Sequence, residues 1–184
     1  MKRKSTLMNA IIIGGFTVLG GWAISAQDKY TLKVPNGLAF SEFSGYEAWQ
    51  VVSISQDGPR IAAILANPVM IKAYLTGVPG NGKPFPDGSK LAKIHWIPKR
   101  METFPAATVP GDQSDVDLMV KDSKRFADSG GWGYAVFDYD PKSDRFMPGT
   151  LADKPPQGND AKCGFACHTI VKKRDYVFTD YGHR

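Results

Sequence analysis

Apolar and polar positions change places in short runs along most of this chain, and the runs are of strand length. From Glu47 to Ser55 the apolar Trp49, Val51, Val52 and Ile54 read as a strand. Ile61 to Ala66 is a continuous apolar run, which periodicity alone does not separate from a buried helical turn; its brevity predicts a second strand. The pattern then changes. Asn67-Pro68 offers an N-cap with proline at the first helical position, Val69, Met70, Ala73 and Tyr74 return at helical spacing, and Gly77 closes the helix. Pro79 to Gly88, rich in glycine, proline and asparagine, predicts a loop. Ser89 to Ile97, Val116 to Lys121 and Trp132 to Tyr139 predict three more strands. Pro148 to Asp160, interrupted by Pro155, Pro156 and Gly158, predicts irregular chain. Two strands, a helix and then strands imply an α+β fold, a mainly antiparallel β-sheet with a few short helices in a single domain. The pattern does not read as a helical bundle.

The first residues depart from that pattern. Met1-Lys2-Arg3-Lys4 is a basic start, Leu7 to Ala26 carries no charge, and the stretch ends on Ala23-Ile24-Ser25-Ala26 with small residues at its close. This is the organisation of a secretory signal cleaved after Ala26, and it predicts an exported, periplasmic protein. The apolar run is also about long enough to span a bilayer, so contact with a membrane is expected only if that segment stays uncleaved. The expected layout is a signal peptide over 1–26, an N-terminal extension over 27–46 and one folded domain over 47–184. The formal charge of the 184-residue chain is +5, but Lys2, Arg3 and Lys4 fall in the signal and leave +2. That balance gives no reason to expect a nucleic-acid partner.

On the predicted strands, alternation places Leu91, Lys93, His95 and Ile97 on one face. A lysine between Leu91 and Ile97 either snorkels to water or holds its amine against something apolar, and the residues alone favour water. His95 shares that face as a ligand, a proton carrier or a simple hydrogen-bonded group. Asp115, Asp117 and Met119 alternate against Val116, Leu118 and Val120, so the acids face away from one apolar layer. Solvent is the default destination for such carboxylates.

Both cysteines of the chain stand near its end, in Cys163-Gly164-Phe165-Ala166-Cys167-His168. Two thiols with a histidine directly after the second form the arrangement that attaches a c-type haem, the thiols as thioethers and the imidazole on the iron. The usual spacing has two residues between the cysteines and this one has three. On a helix, positions i+3 and i+4 both return to the face of position i, so either spacing presents two sulfurs to one porphyrin edge. A disulfide is the alternative in an exported protein, although helical i,i+4 cysteines sit about 6 Å apart, near the upper end of the permitted range. A metal or thiol site is a third use. The basic Lys172-Lys173-Arg174 just beyond is a solvated patch or a steering surface for a redox partner.

Longer stretches resemble a known family. Phe85-Pro86-Asp87-Gly88-Ser89-Lys90-Leu91-Ala92-Lys93, then Val120-Lys121-Asp122-Ser123-Lys124-Arg125-Phe126-Ala127, then Trp132 to Phe137, then the cysteine motif followed by Asp175-Tyr176-Val177-Phe178-Thr179, are similar in content and order to cytochrome P-460 and its c-prime-beta relatives. The resemblance runs from about Glu47 to the end. It implies an exported, mostly dimeric, β-rich protein with one covalent haem c, Cys163 and Cys167 as its thioethers, and His168 as proximal iron ligand beneath an open sixth position. It further implies that Lys93 matches the lysine bonded to the porphyrin in the enzymes, and that Asp117 matches the distal carboxylate that accepts substrate protons.

By the same resemblance the expected activity is oxidation of hydroxylamine or nitric oxide, with electrons leaving to another small cytochrome and a homodimer as the expected assembly. Two alternatives come from different classes: a non-enzymatic nitric oxide binder of the c-prime-beta kind, and an electron-transfer cytochrome in which Met101, Met119 or another side chain fills the sixth position. Two positions depart from the family pattern. The cysteine spacing is longer by one, and Asp117 stands where a glutamate is usual, shorter by about 1.5 Å.

Overall fold

A computed structural model describes residues 27–35, 38–152 and 164–182. The expected signal segment and Cys163 lie outside the described residues. The centre is one antiparallel sheet of six strands in sequence order: β1 (Gln50–Asp57), β2 (Arg60–Ala66), β3 (Lys90–Arg100), β4 (Thr108–Lys121), β5 (Trp132–Asp140) and β6 (Arg145–Pro148). The α+β expectation is met. Between β2 and β3 lies helix α1 (Pro68–Leu75), and after β6 the short α2 (Phe165–His168) runs into a 3-10 stretch, Thr169–Arg174.

The α1 start forms as the sequence predicts. The Asn67 carboxamide oxygen accepts from the Met70 amide at 3.1 Å, capping the helix, and also from the Lys90 amide at 3.1 Å. Its amide group donates to the Gly88 carbonyl at 2.8 Å, so one side chain ties the helix to the start of β3. Gly77 stops the helix with a φ of 91°, which favours glycine.

Each sheet face buries its own core. One face presents Ile64, Leu91, Met119 and Tyr134, which pack with Met70 and Tyr74 of α1, with Phe85 and Trp132, and with Val177 near the C-terminus. The other presents Leu65, Ala92, Val116, Leu118 and Phe137, and it is covered by the segment before β1. There Leu38, Phe40 and Phe43 are wholly buried, and the Phe40 ring lies 4.6 Å from that of Phe137. Burial of each such phenylalanine contributes about 1.5 to 3 kcal/mol. Gln27 exchanges two hydrogen bonds with the backbone of Phe146 on β6, pinning the same segment to the sheet edge. The covering of one face leaves the other to α1 and the C-terminal segment, and it is there that a cavity opens.

Three elements differ from the sequence expectation. β4 begins at Thr108 rather than Val116, because its first half, with Pro110, Gly111, Asp112 and Gln113, is polar and half exposed and lacks an apolar period. β6 falls where the sequence predicts no element and meets the expected irregular stretch only at Pro148; four residues paired along β5 carry no periodicity of their own. The first strand starts at Gln50, its expected beginning being a 3-10 turn over Tyr46–Ala48.

Candidate functional site

Strand register assembles the site. Ile64, Lys93, Asp117 and Val136 are cross-strand partners on β2, β3, β4 and β5, and the next row toward the strand ends brings Ala62, His95, Asp115 and Asp138 together. Period-two alternation then puts Asp115, Asp117, Met119 and Lys121 of β4 on the face away from the Leu118 and Phe137 core. The default solvent destination of the two acids does not hold: Asp115 is 4% exposed, and Asp117 faces a cavity. Lys93 also lines that cavity rather than reaching into open solvent.

The cavity, about 430 Å³, lies between this sheet face and the C-terminal segment. Ile64, Leu91, Val136 and Val177 give it an apolar lining; Lys93 and Asp117 stand on the sheet, and Cys167 and His168 on α2. Met119 lines it as well, whereas Met101 is exposed and takes no part in the lining. Burial raises the Asp117 carboxyl to about 6, with the charge on His95 working against that rise and the charge on Asp115 adding to it.

His168 is held by the backbone. Its Nδ1 lies 2.5 Å from the carbonyl oxygen of Tyr176, an atom that only accepts, so Nδ1 carries the proton and the ring lone pair sits on Nε2. A histidine that donates from one nitrogen to a carbonyl is oriented to ligate a metal through the other. The ring stands 5.2 Å from Tyr134 and 5.0 Å from Phe178. The carbonyl is aimed by an unusual backbone: Asp175 and Tyr176 both have positive φ, 50° and 63°. Asp175 accepts from Lys121 Nζ at 2.6 Å and from the Phe85 amide at 2.8 Å, which fixes this turn onto the sheet.

The residues present fit a haem. The volume falls within the range of small-molecule and cofactor pockets, about 300 to 1,000 Å³. The lining is mostly apolar, with an imidazole in the ligating tautomer and a cysteine on the same short helix. The Ser55 hydroxyl lines the same cavity, buried and with no hydrogen-bond partner among the described residues; such a group calls for a polar atom of a ligand or water.

Sheet and site together define a β-sheet pocket protein that presents one histidine to a bound group. The Cytochrome P460 family model matches residues 43–179, and the chain belongs to that family, which implies a haem cofactor. Comparison with curated proteins gives no match.

Three residues that the sequence names separately come together in the fold. His95, Asp115 and Asp117 bring ligand-type atoms within 4.8 Å of one another. The signal was nonetheless available: once Lys93 and Asp117 are brought together on antiparallel neighbours, positions two later and two earlier, His95 and Asp115, must also meet. No described helix is long and apolar enough to cross a membrane.

Proposed function

We propose that this chain is an exported mono-haem c-type protein that oxidises hydroxylamine or nitric oxide. In this reading Cys163 and Cys167 would hold the haem as thioethers, His168 would ligate the iron through Nε2, and Lys93 would bond through Nζ to a porphyrin carbon that gives up its hydrogen, two electrons passing to an external oxidant. When bound, the haem supplies the redox-active iron that takes electrons from the substrate. The observation that carries the enzymatic reading is Asp117, an acid on the cavity wall whose carboxyl is raised to about 6 by burial. Such a group is ionised at neutral pH and close enough to that pH to bind a proton well, the condition for a general base.

Oxidation of hydroxylamine releases protons with its electrons, so a base in the cavity is required. Asp117 accepts a substrate proton at a carboxylate oxygen. Lys93, its cross-strand partner, stands beside it and must lose its own proton to bond covalently. The apolar Ile64, Leu91 and Val136 exclude water from the reacting atoms. An electron-accepting cytochrome then takes the electrons, and the exposed Lys172 and Lys173 beyond His168 suit a partner with an acidic face. Periplasmic location and a homodimer belong to the same reading.

The test uses protein matured in a host that attaches c-type haem. A red-shifted, broadened reduced Soret band, hydroxylamine turnover with a dye acceptor, and loss of that turnover in Asp117→Ala at unchanged haem content are the expected results. Unchanged turnover in Asp117→Ala removes its role. Tight nitric oxide binding without any hydroxylamine turnover assigns the chain instead to gas binding, and refusal of nitric oxide and cyanide together assigns it to electron transfer with Met119 on the iron.

A further inference from the structure

Behind the cavity wall lies a buried arrangement that binding of substrate and haem does not account for. His95 is 2% exposed, and its Nδ1 makes a short hydrogen bond with Asp115 Oδ1. The other oxygen of Asp115 accepts from Arg60 Nη1 at 2.8 Å and from Ser114 Oγ at 3.2 Å. Every strong partner of Asp115 therefore favours its charged form. Burial raises this carboxyl, but the His95 bond and charge, Arg60 and Ser114 outweigh burial and hold it below the ordinary value. An ionised carboxylate that grips one ring nitrogen fixes both the orientation and the tautomer of an imidazole, as in a catalytic triad.

Asp117 Oδ2 lies 3.8 Å from that same His95 nitrogen. This is too long for a hydrogen bond and well within the range of charge; a movement of about 1 Å makes the bond. The neighbours are thus ordered from the half-exposed Arg60 through Asp115 and His95 to Asp117 at the cavity. We propose that His95, clamped by Asp115, is a positioning residue that directs the Asp117 carboxyl and governs its proton uptake. The inference rests on the reading of Asp117 as the base of the site.

Other charged groups around Asp117 come from each element packed on it. Lys93 is its cross-strand partner on β3, Arg60 comes from β2, Asp138 on β5 pairs with Asp115, and Asp57 of β1 and His168 of α2 line the same cavity. Lys93 and Arg60 favour an ionised Asp117 along with His95, and Asp115 opposes them. The three ligand-type atoms are spaced as a divalent cation would need. Arg60 already neutralises Asp115, however, and Asp115 already holds the Nδ1 of His95.

The experiment follows the carboxylic acid infrared band of the haem-loaded protein against pH, with Asp117→Asn assigning the band. His95→Gln keeps an N–H for Asp115 and removes the charge. Its Asp117 midpoint is expected to move upward by about one pH unit, the lower end of the effect of an opposite charge at 4 to 6 Å. The acid limb of the turnover profile moves with it. Arg60→Gln, at a position where the side chain is partly exposed, shifts the midpoint the same way by less and keeps the test open if His95→Gln does not fold. An unchanged midpoint in either folded variant overturns the proposal, as does a stoichiometric non-haem metal that is lost with His95→Gln. Should Asp117→Asn retain full turnover, the reading of Asp117 as the base of the site falls, while the infrared titration still decides whether His95 governs this carboxyl.

Discussion

Lys121 and Asp175 meet 2.6 Å apart, one from the end of β4 and the other from the turn that presents its backbone to His168. Both side chains are nearly buried, 7% and 11% exposed, and Lys121 also donates to the Gly130 carbonyl at 3.0 Å and lies over the Trp132 ring. The pair is therefore a fastening between sheet and histidine. Its importance lies in what would be left behind if one member were lost, since a lone buried ammonium is costly.

Replacing Asp175 with Asn leaves Lys121 charged without a counter-charge. The expected loss is about 3 kcal/mol, measured by urea unfolding followed through tryptophan fluorescence. With His168 as the iron ligand proposed above, its signature in the haem spectrum should broaden in the same variant, because the Tyr176 carbonyl is no longer held. A variant as stable as the parent would show that the pair contributes nothing net.

Gly130 sits against Tyr176. A Cβ built there falls 2.2 Å from the Tyr176 ring, and the backbone φ of 71° adds strain for any other residue. Gly130→Ala is expected to cost about 2 to 4 kcal/mol in the same unfolding measurement. It should also weaken haem retention, since the displaced ring belongs to the residue whose carbonyl orients His168.

Asn67→Ala removes a helix cap and two further hydrogen bonds at once. The expected destabilisation is about 2 kcal/mol by chemical denaturation, with the Lys90 amide left unpaired at the start of β3. Asn67→Asp retains the acceptor for both amides and should recover most of the loss.

Asp117 gives stability a pH dependence of definite sign. Its folded carboxyl binds a proton more tightly than the unfolded one, about 6 against 3.8, so the contribution of Asp117 to stability is greatest below pH 4, falls between about 4 and 6, and stays reduced above. Asp117→Asn is expected to gain about 2 to 3 kcal/mol over the parent at pH 7.5 and nothing at pH 3.5, read from thermal melting at both. A gain of equal size at both pH values would mean that the charge is not its source.

Much of this architecture was legible. The α1 boundaries follow from Asn67, Pro68 and Gly77, whose roles are local, and β5 follows from the apolar run Trp132 to Phe137. What escaped was non-local. Asp115 reads as a surface acid because its burial depends on Arg60 and His95, which arrive from two other strands through pairing. The turn at Asp175 and Tyr176 carries no glycine to advertise its positive φ; the buried Lys121 and the close approach of Gly130 sustain it. The early half of β4 and all of β6 lack an apolar period, since pairing with neighbours creates them.

The face of β4 that carries Asp115, Asp117, Met119 and Lys121 has a consequence for how such a site can diversify. Insertion or deletion of a single residue in this strand would turn Val116, Leu118 and Val120 toward the cavity and drive three charged groups into the core beneath Phe137. Length is thus frozen where chemistry is concentrated. Descendants of this chain are free to exchange one side chain for another along that row, but a change of length between Asp115 and Lys121 turns the row over unless a bulge absorbs it, as the register shift beside Ser114 does.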